Sequence, residues 1–169
     1  ELGVKFIFPH APLRAVTINN GMEMRAWYDI KSMDMESRAD IDGVIDSSQR
    51  VEQLIHAEIA SGIASNKIIL IGFSQGGVIS LHLGTRFTQS LAGIVALSTY
   101  MCAPQTLGDQ KSVENQNTPV FFAHGQQDEV VPTFLGNAAY QTMKEYMMQH
   151  NVCMPEIADI SAFIQAKLA

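Results

Sequence analysis

The 169-residue chain carries 11 basic against 17 acidic side chains, a formal charge of -6, and 47% of its residues are apolar. A net acidic chain without basic runs is a poor partner for nucleic acid phosphates and offers no cationic face to an anionic membrane. Its longest apolar runs, residues 68–71 and 92–97, fall far short of the ~20 residues that cross a bilayer, which argues against stable membrane insertion.

Two cysteines, Cys102 and Cys153, are too few for a disulfide framework and fit a reducing compartment. No basic-then-apolar signal pattern opens the chain, so a cytoplasmic protein is expected. The first residue is Glu1 rather than Met, which suggests that residues are missing ahead of it. In chain order, Val4-Lys-Phe-Ile-Phe8, ended by Pro9, predicts a buried strand. Turn formers and methionines without a sustained period then predict a long surface excursion to about residue 40. Apolar residues at 44, 45, 51, 54, 55 and 59 predict a core-facing helix over about 41–63. Residues 67–71 read as a central parallel strand covered on both faces. Helix over about 75–86, strand over 92–97, a polar loop to 118 and strand over 120–123 continue the pattern. Helices over 133–148 and 155–168 complete it, the second with Pro155 in its first turn. The alternation predicts one domain over 1–169 of α/β class, a mostly parallel central sheet between helical layers.

Gly72-Phe-Ser-Gln-Gly76 is a GxSxG motif where an apolar strand meets a helix. The setting matters more than the letters. A sharp strand-to-helix turn projects the Ser74 hydroxyl away from the sheet, and the helix N-terminus supplies N–H groups and partial positive charge beside a weak nucleophile. Glycines on either side leave room for strand and helix to approach.

In a fold with this turn the partners follow in the order serine, acid, histidine. His10 and His56 precede the serine, His82 lies in the helix after it, and His124 comes before the best acid, which leaves His150, in the turn between the last two helices, as base. The loop after the 120–123 strand carries Asp128 and Glu129. The shorter Asp128 is preferred because a tight loop holds it more rigidly. Asp109 has no strand to deliver it, and Asp159 falls inside the final helix. His150 and Cys153 alone do not make a metal site.

Gly72-Phe-Ser-Gln-Gly-Gly77, Phe8-Pro-His-Ala-Pro12, Arg25-Ala-Trp-Tyr-Asp29, His124-Gly125 with Asp128 and Val131-Pro132, and Gln149-His-Asn-Val-Cys153 occur in order along the chain. Together they resemble the bacterial carboxylesterases of the α/β-hydrolase superfamily that are related to acyl-protein thioesterases and lysophospholipases. The resemblance implies a Ser74, Asp128 and His150 triad, with the backbone N–H of Gln75 as an oxyanion donor. It implies hydrolysis of short- to medium-chain acyl esters or thioesters without metal or cofactor. Trp27, Met101 and Val131 are expected to border the acyl pocket. The chain departs from the family's pattern in two places. No strand with an HGxG oxyanion loop precedes Glu1, and a strand expected between Asp128 and His150 looks spliced out near residues 144–146. Such a sheet would have open edges, so pairing with a partner, a homodimer among them, is expected. The competing reading is a degenerate hydrolase that binds without turnover.

Overall fold

The computed structural model describes residues 3–32, 40–145, 150–152 and 157–168. Four strands, β3 (Ile69–Phe73), β4 (Gly93–Leu97), β5 (Val120–Ala123) and β6 (His150–Val152), form one sheet in the order β3-β4-β5-β6. Every pairing in it is parallel. A separate antiparallel hairpin joins β1 (Leu13–Val16) to β2 (Met22–Arg25). The helices are α1 (Ile41–Ala60), α2 (Gln75–Gly84), α3 (Leu107–Gln110), α4 (Thr133–Glu145) and α5 (Ile157–Leu168). The expected α/β class is what the chain adopts.

Strand alternation sorts the core into layers. Ile94 and Ala96 of β4 and Val120 and Phe122 of β5 point to one face, where they meet Leu81 of α2, Leu107 of α3, and Ala139 and Met143 of α4. Val95, Phe121 and Ala123 point to the other, where Ile160 and Phe163 of α5 lie over them. α1 packs behind α2, with Ile55, Leu83 and Phe87 between them and Leu70 of β3 beneath. Coverage of the α5 face thins out along β3: Ile69 packs against the cluster under α5, but Ile71 and Phe73 on the same side are exposed, Phe73 at 67%.

Three expectations are corrected. Residues 4–8 do not form a buried strand. Their apolar side chains are exposed, Phe8 at 85%, because no strand lies beside them among the described residues to satisfy their backbone groups. The Lys5 to Glu58 ion pair at 2.8 Å ties the segment to α1 instead. The surface excursion contains the β1–β2 hairpin, turned by Asn20 at φ 54 and Gly21 at φ 73. The third concerns residues after α4: His150 begins a strand rather than sitting in a turn, and β6 is the polar His-Asn-Val, recruited by the open backbone edge of β5. The first turn of the last helix around Pro155, together with Cys153, lies outside the described residues.

Candidate active site

β3 ends at Phe73 and α2 begins at Gln75, so the whole reversal falls on Ser74. Its backbone sits at φ 51, ψ -117, a region that costs a side-chain-bearing residue about 1–3 kcal/mol and persists only where the surroundings over-determine it. Here they do. The Ser74 N–H donates to the carbonyl of Leu97 at 2.9 Å. Its own carbonyl accepts from the Thr99 hydroxyl at 2.8 Å and from the Val78 N–H at 3.2 Å. A Cβ on Gly72 would collide with the carbonyl of Gly76, and one on Gly77 would lie 2.6 Å from Thr99. Gly76, in contrast, has only the Trp27 Nε1 near its missing Cβ, at 3.9 Å. The steric demand for glycine thus rests on Gly72 and Gly77. Ser74, Gln75 and Gly76 are all half-buried, so the hydroxyl and the first N–H groups of α2 share a partly open position. Helix geometry gives those first N–H groups no acceptor within the helix.

Asp128 lies in the loop after β5, on the same sheet edge. Its Oδ1 accepts from the N–H groups of Val130 at 3.0 Å and Val131 at 2.9 Å. The Val131 N–H is the largest influence holding this carboxyl below its ordinary range; the Val130 N–H, the Ser98 hydroxyl and His124 add to it, and burial opposes it. Asp128 is therefore a fixed anion, oriented by its own loop. β4 stands between β3 and β5, so the strands that lead to Ser74 and Asp128 are two spacings, roughly 10 Å, apart, and the Asp128 carboxyl leans over the end of β4 to the Ser98 hydroxyl. An imidazole can bridge such a gap if the loops converge.

The structure does not bring His150 into that gap. His150 pairs with Val120, which is level with Ile94 and so with Leu70. Its backbone is thus at the opposite end of the sheet, about 13 Å of strand short of Ser74 and about 14 Å across three strand spacings. Its side chain lies outside what the structure describes. The imidazole beside Asp128 is His124, whose Nε2 stands 3.6 Å from Oδ2 but donates to the Val131 carbonyl at 2.7 Å. That bond closes the 124–131 loop, a structural duty. Among the described residues, no cluster of acidic, histidine and cysteine side chains could hold a metal ion.

Trp27 and Val131 fall in one apolar cluster, with Tyr28, Val78 and Tyr100, next to the elbow. Met101 is buried in the cluster under β4 and β5. Sequence reasoning missed the supports of the site, Thr99 and Ser98. A hydroxyl just beyond β4, the strand next to the elbow, was the available signal.

The sequence matches the model of the family described as Phospholipase/Carboxylesterase over residues 2–168. It is 43% identical over 129 residues to acyl-protein thioesterase 1 of Yarrowia lipolytica, covering 76% of this chain and 57% of that one. It is 37% identical to acyl-protein thioesterase 1 of Neurospora crassa, covering 98% of this chain and 74% of that one. The chain thus spans a little over half the length of the first relative and about three quarters of the second. Among solved structures, it superposes on Arabidopsis thaliana SOBER1 with a TM-score of 0.87 at 27% identity, covering 96% of this chain and 83% of that one. Zea mays acyl-protein thioesterase 2 shares the fold, with a TM-score of 0.81 at 22% identity over 95% of this chain and 80% of that one.

Proposed function

The chain belongs to the phospholipase/carboxylesterase family, and from that premise we propose that it is a serine hydrolase of short- to medium-chain acyl esters or thioesters. The observation that carries the reading is the left-handed Ser74 at the mouth of α2, with the fixed carboxylate of Asp128 two strands away. In this reading the Ser74 hydroxyl attacks the acyl carbon while His150 takes its proton and Asp128 orients the imidazole. The backbone N–H of Gln75 faces the developing oxyanion, a contact worth about 100- to 1000-fold in rate. His150 then returns the proton to the leaving alcohol or thiol, and water releases the acid from the acyl-enzyme. The names of the relatives favour thioesters among the substrates. The buried free thiol of Cys102 is compatible with a reducing, cytoplasmic setting.

The register of β6 favours a second reading, in which the elbow binds acyl groups without turnover. For catalysis the segment carrying His150 must leave that register and return its imidazole to the other sheet edge. A fluorophosphonate probe read by intact mass separates the two. Turnover chemistry predicts one adduct, lost in Ser74→Ala and slowed at least about 1000-fold in His150→Ala. A folded wild type that takes no adduct supports the binding protein. Rapid labelling of His150→Ala would remove His150 from the triad.

A further inference from the structure

Gln75 adjoins the nucleophile, and its backbone N–H is only half of what it offers. Its side-chain Oε1 accepts from the Trp27 N–H at 3.0 Å, and its Nε2 donates to the Tyr28 carbonyl at 3.0 Å. The Trp27 carbonyl in turn accepts from the Ser47 hydroxyl of α1. The backbone that carries the indole is therefore gripped by side chains of α1 and α2 rather than by a strand ladder. The grip aims the indole at the elbow: its Nε1 stands 3.9 Å from where a Cβ on Gly76 would be, over the first turn of α2. Trp27 is half-buried, with Val78 and Val131 in its cluster.

We propose that Gln75 is a positioning residue whose side-chain amide clamps the backbone at Trp27 and Tyr28 against the nucleophile elbow, making the indole one wall of the acyl pocket. The inference rests on the Ser74-centred reading for the nature of its ligand, an acyl chain. The chemistry selects glutamine: one end must accept from an N–H and the other must donate to a carbonyl. Methionine matches the length and does neither. Glutamate accepts, but as an anion it confronts the Tyr28 carbonyl.

Trp27 is the only tryptophan in the chain, so its fluorescence reports the clamp directly and without any activated serine. In wild type, decanoate, the acid that a medium-chain ester would leave, shifts and protects Trp27 emission, whereas butyrate does so little. In Gln75→Met, the free protein's emission moves to longer wavelength, acrylamide quenching rises about twofold, and decanoate binds about tenfold more weakly, as expected when two partly buried hydrogen bonds are lost. Gln75→Glu behaves like Gln75→Met at neutral pH. In acid, compared with wild type at the same pH, its protonated carboxyl can both accept and donate, and emission returns to the wild-type position. That recovery within one folded variant keeps the test decisive should Gln75→Met fail to fold. Wild-type emission in both variants at neutral pH, or a wild-type Trp27 that does not respond to decanoate, overturns the proposal. A protein that takes no fluorophosphonate yet gives these responses loses the hydrolase reading and keeps the clamp.

Discussion

A methyl group added at Gly72 would meet the backbone of Gly76, whereas one added at Gly76 would meet only the rim of Trp27 at 3.9 Å. Backbone cannot step aside as a side chain can, so Gly72→Ala is expected to cost about 2–4 kcal/mol. Gly76→Ala, inside the first turn of α2, is expected to be neutral or to gain about 0.5–1 kcal/mol from helix propensity. Urea denaturation of the two variants checks the contrast. His82, on α2, is a second residue whose letter says little. Burial, with Arg86 adding to it, lowers its pKa from 6.5 to about 4, and its Nδ1 lies 3.2 Å from the Ser48 hydroxyl. A depressed folded-state value means that the unfolded chain binds the proton first. The stabilising effect of the neutral ring is therefore complete above about pH 6.5 and disappears progressively towards pH 4. In His82→Gln the fall in melting temperature between those values should be several degrees smaller than in wild type. The placement of Ser74 and Asp128 at one sheet edge is legible from letters alone, because strand-turn-helix order fixes which ends of β3 and β5 they follow. The unequal duties of Gly72 and Gly76 depend on which backbone comes close, and spacing does not reveal that.

Elements were legible where local pattern and tertiary demand agree. Six apolar positions at helical spacing predicted α1, and the near-continuous apolar runs predicted β3, β4 and β5. Residues 4–8 have the composition of a strand but no neighbour to pair with among the described residues, and pairing rather than propensity makes a strand. The reverse holds for β6, whose polar His-Asn-Val has no strand pattern and gains its form from the edge of β5. The hairpin was legible in principle, since Asn20-Gly21 is a sequence suited to positive φ at both positions of a turn. Connections carry their own order. Asn115, fully buried, donates to the carbonyls of Phe87 and Gln89 at 2.7 and 2.9 Å. Its Oδ1 accepts from the Leu91 N–H at 2.9 Å and from the Thr118 hydroxyl at 2.7 Å. One amide thus fastens the link between α2 and β4 to the approach to β5. Asn115→Ala leaves several buried polar groups unpaired, and a loss of about 3 kcal/mol is expected in chemical denaturation.

At the scale of the whole molecule, the helical layers cover the two sheet faces unequally. Among the described residues, α2, α3 and α4 serve one side, while α5 covers the other and leaves Ile71 and Phe73 bare. The exposed ring of Phe73 immediately precedes the serine, so the bare end of β3 and the strained elbow are neighbours in the chain. That strain has a thermodynamic meaning beyond chemistry. At φ 51, ψ -117, glycine is at ease and serine is not. Ser74→Gly is therefore expected to melt roughly 2–4 °C above Ser74→Ala, which keeps the side-chain penalty, as scanning calorimetry can measure. Drift towards glycine at this position consequently runs downhill in free energy, and a serine here is one that the fold itself does not ask for.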